Sequence, residues 1–406
     1  MSALSDRIIA FNEGLLPQML PHKYEAMAEN AFRFYRGTCP LFYQDLAGYN
    51  KLPKTPVTWI CGDLHLENFG SYRGENKLVY FDLNDFDEAI LAPAFYEVSR
   101  LVTSIFIGFE SLKIDAERAG RMAKLFLKTY SATLAKGKAY AIEPRTAKGI
   151  VCKFLKAAEN SKASRLLEKR TETKKNKVVL SLENERHFKV DKKLRAELIA
   201  HLTTWINQST DSPNSYKVKS CVFRLAGTGS IGVKRYLFLL KSINVRNQYL
   251  LIDMKQSMPS ALGNYINTKQ PEWDNNAQRI ITIQQRMQYV TPMLLSTTSF
   301  RGDDYVIQEL QPVKDSINFK MIRDDYRDLY EVIDEMAMLT ASSQLRSGGI
   351  QRSATIDELM AFGKADDWQE EVLNYASAYA KKIKTYYKQY LKDYKAGVFD
   401  AKEPGE

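Results

Sequence analysis

The spacing of hydrophobic positions changes several times along the chain, and each spacing predicts a different element. Residues 1–50 carry apolar side chains at helical intervals, which predicts helices. Residues 57–90 contain strand-like segments, VTWIC and KLVYFDL, with a loop between them. Residues 93–135 return to a helical pattern, whereas residues 140–200 are polar and basic and predict short helices joined by loops.

The second half of the chain contains more strand-like segments. Residues 216–257 have the texture of a strand, a glycine-containing loop, a strand, a turn and a third strand. A polar helix is expected at 275–290, followed by two strands in VTPMLLSTTSF and DYVIQELQ. Helices are expected at 325–345 and 366–394. The whole pattern predicts an α+β protein.

The composition is that of a folded globular protein. The chain has 406 residues, of which 45% are hydrophobic and 26% are charged, and this length permits one large domain or two lobes. No apolar stretch is long enough to span a membrane, and the N-terminal residues lack the features of a signal peptide. The four cysteines are scattered, which argues against a zinc site or a disulfide framework and favours the cytoplasm.

The formal net charge of +10 suits an anionic partner such as a nucleotide, a phosphorylated substrate, nucleic acid or a membrane surface. Much of the excess lies between Lys153 and Lys193, which we interpret as a solvated loop and helix face. The C-terminal segment AKKIKTYYKQYLKDYK interleaves lysines with aromatic residues, but its large side chains share one helical face. These side chains are Tyr379, Ile383, Tyr386 and Tyr390. Core packing is therefore the better interpretation, and a nucleic-acid partner is not expected.

Three polar side chains follow predicted strands in the first quarter of the chain. The segment WICGDLHLENFG places Asp63 five residues before Asn68, and Asp85 lies in YFDLNDFDEA at the end of another strand. Phosphoryl transfer from ATP needs a carboxylate that orients or deprotonates the acceptor hydroxyl, and oxygen ligands that hold Mg²⁺ against the phosphates. The three residues supply that set, with the Asp-to-Asn spacing of the kinase catalytic loop.

These segments also resemble known proteins. GDLHLEN is similar to the HGDxHxxN loop of aminoglycoside phosphotransferases and related small-molecule kinases, and NDFDEA resembles their metal-binding IDFxDA segment. Together they closely resemble the domain of unknown function 2252 family, which we place in the protein-kinase-like superfamily. The resemblance covers most of the chain and includes FRFYRGT, RLAGTGSIGVKRY, YVIQELQPVKDS and the RSGG near residue 346.

The resemblance implies a role for each residue of the first motif. Asp63 would be the catalytic base, Asn68 a metal ligand and Asp85 the second metal ligand. Asp82 and Asp87 remain alternatives to Asp85, because FDLNDFD offers three closely spaced carboxylates. The register of DFDEA favours Asp85.

Three nearby positions differ in how well they match the related loops. His65 would shape the catalytic loop. Cys61 occupies the position at which the related loops carry their first histidine, and Gln344 stands where a histidine is expected before RSG. The role of position 344 is therefore left open.

A second motif lies in RLAGTGSIGVKRY, a GxGxxG pattern. The residues after it predict a strand, and strand, glycine loop, strand is the kinase arrangement in which the loop covers the phosphates. In a dinucleotide-binding unit a helix would follow. Lys255 lies in the third predicted strand, where its ammonium group can pair with the α- and β-phosphates. The candidate phosphate-binding residues are Gly227, Thr228, Gly229, Ser230, Gly232 and Lys255.

The helix after Lys255 differs from that of ordinary protein kinases. A kinase lysine pairs with a glutamate on this helix, but NNAQRIITIQQRMQYV has no acidic residue in its body. Gln284 is the nearest substitute, and Glu272 precedes the helix. The later segment YVIQELQPVKDS resembles a hinge, in which the backbone of Glu309 to Gln311 would meet the adenine edge. An ordinary edge strand is the alternative.

The two motifs occur in the reverse of the usual kinase order, because the catalytic loop precedes the glycine loop. We therefore expect a circularly permuted two-lobe fold with the site in the cleft between the lobes. Residues 1–204 would form part of a helical lobe with the catalytic and metal-binding loops. Residues 205–320 would form a β-rich nucleotide lobe, and residues 321–406 would complete the helical lobe.

The expected function is ATP- and Mg²⁺-dependent phosphoryl transfer, with a small molecule favoured as acceptor because no APE-like segment follows NDFDEA. Arg36 and Lys314 are further candidates for lining the site. Alternatives are a catalytically inactive nucleotide-binding protein, an AMP-transferring variant and a basic nucleic-acid-binding protein. A metallophosphoesterase, suggested by GDLH, is disfavoured because the chain has four histidines and no second GNH-like motif.

Overall fold

The computed structural model describes residues 2–311 and 316–400. Short helices occupy the N-terminal region, as the spacing of its apolar residues predicts. They are α1 (Ala3–Phe11), α2 (Leu20–Ala28), α3 (Ala31–Gly37) and α4 (Cys39–Ala47). A 3-10 helix, Pro17–Met19, leads into α2. Ser2 begins α1 and Asn30 begins α3, each by accepting a hydrogen bond from a backbone N–H of the first turn.

Four short strands follow, of which the first and third confirm the predicted segments VTWIC and KLVYFDL, whereas the second lies where a loop was expected. They are β1 (Val57–Ile60), β2 (Phe69–Arg73), β3 (Val79–Leu83) and β4 (Ile90–Pro93). β1 pairs antiparallel with β4, and β2 forms a hairpin with β3 in which Phe69 lies opposite Leu83. The loop from β1 to β2 therefore begins and ends beside the loop from β3 to β4, because Ile60 pairs with Ile90 and Phe69 with Leu83. These loops carry the two halves of the first motif.

The predicted helical run at 93–135 is interrupted once. It forms α5 (Ala94–Ser111) and α6 (Ala116–Lys136), and Asp115 begins the second helix by accepting from the Arg118 N–H at 2.8 Å. α5 is buried along nearly its whole length, which fits its apolar sequence. The predicted helix is thus confirmed, with a break that a local N-terminal cap explains.

The basic region at 140–200 contains both predicted helices and an unpredicted hairpin. The helices are α7 (Gly149–Glu159) and α8 (Ala163–Arg170), and α9 (Lys192–Gln208) closes the region. Between them lie β5 (Thr171–Lys174), β6 (Lys177–Leu180) and β7 (His187–Phe188). The turn residues Lys175 and Asn176 both have positive φ, 48° and 59°, as a tight hairpin turn requires. The expectation of helices and loops alone is wrong here, because charged residues hide the strand pattern.

A six-stranded antiparallel sheet forms the centre of the second half. Its strand order is β11-β12-β10-β9-β8-β7. The long strands are β8 (Tyr216–Arg224), β9 (Arg235–Ser242), β10 (Tyr249–Gln256), β11 (Ser296–Phe300) and β12 (Asp303–Glu309). Helix α10 (Asn276–Met287) connects β10 to β11, and a 3-10 helix, Ala261–Asn264, precedes it. The predicted sequence of strand, glycine loop, strand, turn and strand is confirmed.

Each face of this sheet packs into a separate apolar cluster. Successive side chains of a strand point to opposite faces. Phe238 and Leu240 accordingly join α9 on one side, whereas Leu237 and Leu239 join Leu180 of β6 on the other. A third and larger cluster holds the helices together and includes the buried face of α10. Helix α10 thereby connects the sheet to the helical part of the molecule.

The C-terminal part is helical. It comprises α11 (Phe319–Ile322), α12 (Tyr326–Arg346), α13 (Ile356–Lys364) and α14 (Asp367–Lys395). Tyr379, Ile383 and Tyr390 of α14 are buried, which confirms that this face packs in the core. The hydroxyl groups of Ser2 and Ser5 both donate to Asp393, so α14 lies against α1. Within residues 2–311 and 316–400, no helix combines the length and the apolar character that crossing a bilayer requires.

Candidate functional site

A polar cleft of about 360 Å³ lies where the N-terminal helices, the β1–β2 and β3–β4 loops and the glycine loop meet. The segment that follows β10 closes another side of it. Residues far apart in the sequence therefore converge on one cavity. Among the described residues, the charged side chains that line it are Glu13, Lys23, Arg36, Asp63, Asp85, Asp87 and Glu88, and the lining also includes His65 and Asn68.

Asp63 lies just after β1 and is held by a cation from α5. Arg100, which is fully buried, donates from Nε to Asp63 Oδ1 at 2.7 Å, and its Nη2 lies 2.5 Å from the same oxygen. The other carboxylate oxygen, Oδ2, lies on the side of the glycine loop, 3.8 Å from where a Cβ atom on Gly229 would be. One oxygen of Asp63 is thus fixed, and the other lies beneath the loop.

The backbone before Asp63 is fixed by several buried groups. Gly62 has φ of +82°, and a Cβ atom there would lie 2.3 Å from the carbonyl oxygen of Glu88. Only glycine fits this close approach between the two loops. The Tyr43 hydroxyl donates to the Gly62 carbonyl, and the Cys61 N–H donates to Glu97 Oε1 at 2.5 Å. Cys61 is therefore a buried residue at the start of the loop, and it lies at the wall of the cleft.

Glu97 and Gln344 form a buried polar group beneath this loop. Burial raises the pKa of Glu97 to about 7, although the Cys61 N–H and the Gln344 amide oppose the shift. Gln344 donates to Glu97 Oε2 at 3.3 Å and accepts a hydrogen bond from the Tyr130 hydroxyl. The residue at position 344 accordingly supports the loop from the core and does not line the cleft.

Asn68 and His65 shape the remainder of the β1–β2 loop. The Asn68 side-chain amide donates to the carbonyl oxygen of Asp63 at 2.6 Å, and the Asn68 N–H donates to the His65 carbonyl at 2.9 Å. His65 Nδ1 accepts from the Glu67 N–H at 3.1 Å, and Arg36 lies 3.1 Å from Nε2. Burial and the nearby arginines hold the pKa of His65 well below its usual value. His65 is thus a neutral residue that organises the loop.

Asp85 and Asp87 both reach the cleft from the β3–β4 loop. Asp87 forms an ion pair with Lys255 of β10, which joins the loop to the sheet. Burial lowers the pKa of Lys255, but the charges of Asp87 and Asp85 outweigh it, and the pKa is raised. Asp85 Oδ1 accepts from the Asp87 N–H at 3.3 Å. The structure therefore brings the predicted lysine to the predicted acidic segment.

Asp82 lies elsewhere. It is buried in β3, where Arg346 of α12 donates to its Oδ2 at 3.0 Å, and the Leu83 N–H donates to its Oδ1 at 2.9 Å. Arg346 also donates to the carbonyl oxygens of Met287 and Tyr140. Asp82 therefore joins β3 to three other segments, and it is absent from the lining of the cleft.

The glycine loop between β8 and β9 is held by three contacts from the N-terminal region. Lys23 of α2 donates to the Gly229 carbonyl at 3.1 Å, and Arg33 of α3 donates to the Thr228 hydroxyl at 2.8 Å. The Leu16 N–H donates to the Gly232 carbonyl at 2.8 Å. Positive φ values at Gly227 and Gly232, +70° and +100°, give the loop its course.

Within this loop, the candidate phosphate-binding residues face different ways. Gly227, Gly229 and Ser230 line the cleft. The Ser230 hydroxyl donates to the Ala226 carbonyl at 2.7 Å, which closes the turn. Thr228 is buried against Arg33, and Gly232 lies under Leu15. Neither Thr228 nor Gly232 lines the cavity.

The remaining candidates lie apart from this cavity. Gln284 of α10 donates to Gln288 at 3.1 Å, and Gln288 donates to the Leu83 carbonyl at 2.6 Å. Gln311 makes two hydrogen bonds to the backbone of Arg73, at 2.6 and 2.8 Å, so it attaches the end of β12 to the β2–β3 hairpin. Glu309, the last residue of β12, has its pKa raised by burial. Lys314 lies outside the described residues.

Sequence reasoning missed several residues that organise the site. Arg235 and Arg224 both bind the buried carboxylate of Asp253 on the sheet. Burial raises the pKa of Glu88 to about 7, and its Oε2 accepts from the Ala261 N–H at 2.6 Å. Alternating charge in VFRLAG, VKRYL and LIDMK could have indicated the first group. No pattern distinguishes Glu88 from a solvated carboxylate.

The donor types in the cleft suit a hard cation. Asn68, Asp85 and Asp87 offer amide and carboxylate oxygens, which Mg²⁺ accepts together with water and phosphate oxygens. Among the described residues, no three His, Cys, Asp or Glu side chains are arranged to hold a metal ion by themselves. A divalent ion here would therefore complete its coordination with the Asn68 amide oxygen, water or the oxygens of a bound phosphate compound.

The chain is thus an α+β protein with a cleft beside its glycine loop, and this cleft is lined by Lys23 and several acidic side chains. The chain belongs to the family described as uncharacterized protein conserved in bacteria (DUF2252), whose sequence profile matches residues 15–393. This confirms the resemblance to the domain of unknown function 2252 family. No curated protein and no solved structure matches the chain.

Proposed function

We propose that the cleft binds ATP with Mg²⁺ and transfers its terminal phosphoryl group to a small-molecule hydroxyl, in a circularly permuted kinase-like fold. One observation carries the proposal. Lys255 from the third strand of the sheet pairs with Asp87, while the glycine loop between the first two long strands lies over Asp63. The order strand, glycine loop, strand, lysine strand, helix and two strands is the one that a kinase-like nucleotide site requires.

The residues divide the chemical work as follows. Bound ATP and Mg²⁺ would supply the phosphoryl group and neutralise its charge. Asn68 and Asp85 offer oxygen atoms to the metal. Lys255 pairs with Asp87 and would turn to the phosphates when a nucleotide and a metal compensate both charges. Asp63 accepts the hydrogen bond of the acceptor hydroxyl and takes its proton as the oxygen–phosphorus bond forms. ADP leaves with the electron pair of the broken bond.

Arg100 has a defined part in this scheme. It binds Asp63 Oδ1 from beneath, so that Oδ2 is directed towards the acceptor side of the cleft. The Asn68 side chain donates to the Asp63 carbonyl and so fixes the position of one proposed metal ligand, Asn68, relative to the proposed base, Asp63. Such preorganisation lowers the barrier because few groups must move during the reaction.

A second function, nucleotide binding without transfer, is favoured by one observation. Helix α10 places Gln284 against Gln288 and supplies no carboxylate to Lys255 among the described residues. In ordinary kinases the lysine–glutamate pair must form for activity. Here Asp87 takes that place, and it could release the lysine only when a nucleotide and a metal compensate both charges.

The first test is thermal unfolding with and without millimolar ATP and MgCl₂. A ligand that binds only the folded state adds RT ln(1 + [L]/Kd), or about 2.7 kcal/mol at a hundredfold excess over Kd. We expect a Mg²⁺-dependent rise in Tm for the wild type that Lys255→Ala and Asp85→Asn both lose. Lys217→Ala, on the exposed side of β8, is the matched control and should keep the rise.

Absence of any shift for the wild type would contradict the proposal. A shift without consumption of ATP, measured as ADP release in the presence of a panel of hydroxyl compounds, would favour the second function. Labelling of the product from [α-³²P]ATP in place of [γ-³²P]ATP would indicate transfer of AMP.

A further inference from the structure

The catalytic loop of this chain contains no cation. Its residues from Asp63 to Asn68 read DLHLEN, without lysine or arginine, and the ring of His65 accepts from the Glu67 N–H and lies against Arg36. Transfer of a phosphoryl group develops negative charge on the transferred oxygens, which positive groups stabilise. A positive group for this purpose must therefore come from another element.

Among the residues that the structure describes, two cationic side chains line the cleft, Lys23 and Arg36. Arg36 already forms an ion pair with Glu67 and contacts His65. Lys23 forms no ion pair with any residue in the described parts of the chain, and its ammonium group donates to one carbonyl oxygen, that of Gly229. An ammonium group has three N–H donors, so two remain for another partner.

The burial of Lys23 makes this arrangement costly without a ligand. The residue is only 4% exposed, and burial lowers its pKa to about 8 against the opposing effect of Glu88, Cys39 and Asp63. Burial of a charge is unfavourable unless a partner compensates it. Lys23 lies in the middle of α2, where a lysine could instead have pointed to solvent at neighbouring exposed positions.

The position of Lys23 indicates which part of a ligand it would meet. Gly229, its partner, lies at the place where the glycine loop approaches Asp63 Oδ2. In the proposed function, the phosphoryl group passes from a nucleotide under the loop to a hydroxyl at Asp63. A cation between these two points lies beside the group that is transferred, whereas Lys255 lies on the sheet beside Asp87.

We propose that Lys23, contributed by the N-terminal helix α2, is a catalytic residue that binds the terminal phosphate of the nucleotide. The proposal rests on the proposed function. Lys23, which lies outside the two motifs, would supply the positive charge that the DLHLEN loop lacks. It also predicts that the site distinguishes ATP from ADP through Lys23.

Isothermal titration of Mg·ATP and Mg·ADP tests this assignment. The proteins are the wild type, Lys23→Met, Lys23→Gln and Lys23→Arg, with Lys124→Met on the exposed face of α6 as the control. We expect Lys23→Met and Lys23→Gln to weaken ATP binding about tenfold or more, the usual size of a lost charge-assisted hydrogen bond. ADP binding should stay within about twofold, and Lys23→Arg should recover part of the ATP preference.

The outcomes separate this proposal from the proposed function. Unchanged ATP binding, or equal losses for ATP and ADP, would overturn the role of Lys23 while the nucleotide site stands. A wild type that binds neither nucleotide would overturn both. The denaturation midpoint of each variant without nucleotide identifies any that fails to fold. Because the glutamine variant keeps a polar end at the same position, it replaces the methionine variant if that one does not fold.

Discussion

The pair formed by Arg100 and Asp63 permits a quantitative prediction. Arg100 is fully buried, whereas the side chain of Asp63 retains 19% of its exposure. The guanidinium group also lies 4.3 Å from the centroid of the Tyr35 ring and donates to the Tyr35 carbonyl. Replacement of Asp63 by Asn leaves a buried charge without its partner, whereas replacement of Arg100 by Met leaves a carboxylate that water reaches in part.

The magnitudes follow from this asymmetry. Removal of one member of a buried ion pair costs about 3–5 kcal/mol. We expect Asp63→Asn near the upper end of this range and Arg100→Met near the lower end, because only Arg100 is fully enclosed. In the double variant neither charge is left without its partner. Its loss in free energy of unfolding should therefore be smaller than the sum of the two single losses by about 2–3 kcal/mol, because the two residues are coupled.

Urea denaturation of the four proteins of this cycle measures the coupling, with fluorescence and circular dichroism as independent probes. Arg118→Met is the matched control, since Arg118 pairs with Asp115 on the surface, where both side chains are more than one third exposed. Its cost should be below about 1 kcal/mol. Additive losses for Arg100→Met and Asp63→Asn would refute the interpretation that Arg100 is held in the core by Asp63.

Two further predictions concern stability. Burial raises the pKa of Glu335 to about 8 from 4.5, so the free energy of unfolding falls as pH rises from 4.5, where the unfolded chain ionises, and the loss is complete once pH passes 8. Glu335→Gln should thus raise Tm relative to wild type at pH 8.5 and not at pH 4, whereas exposed Glu370→Gln should change neither. Gly232→Ala should lower Tm more than Gly302→Ala. Both glycines have positive φ, but only a Cβ atom at position 232 would meet Leu15, at 2.9 Å. Equal decreases in Tm would exclude this packing effect.

Much of the architecture could be predicted from the sequence because periodicity and loop chemistry are local signals. The aromatic stripe of α14 was correctly assigned to the core from its spacing alone. Asp63 and Asp85 line the same cleft as Gly229, which is far from them in the sequence, and Lys255 reaches its edge by pairing with Asp87. The domain division and the roles of these residues stay predictions.

The features that the sequence hides depend on distant partners. The three acidic residues of FDLNDFD look equivalent, but Asp82 meets Arg346 of α12, whereas Asp87 meets Lys255 of β10. Lys23 resembles any solvated lysine of an amphipathic helix until the glycine loop is placed above it. The β5–β6 hairpin is hidden for a local reason, since β5 has two charged side chains and no apolar one.

The contact between α1 and α14 has a consequence for how the order of segments can change. Ser2 and Asp393, almost at opposite ends of the sequence, share a hydrogen bond. A short linker could therefore join these two regions, and a new opening could be made in the exposed turn at 243–248, between β9 and β10. Such a rearrangement would leave each hydrogen bond of the cleft in place, so the sequence of elements is separable from the geometry of the site.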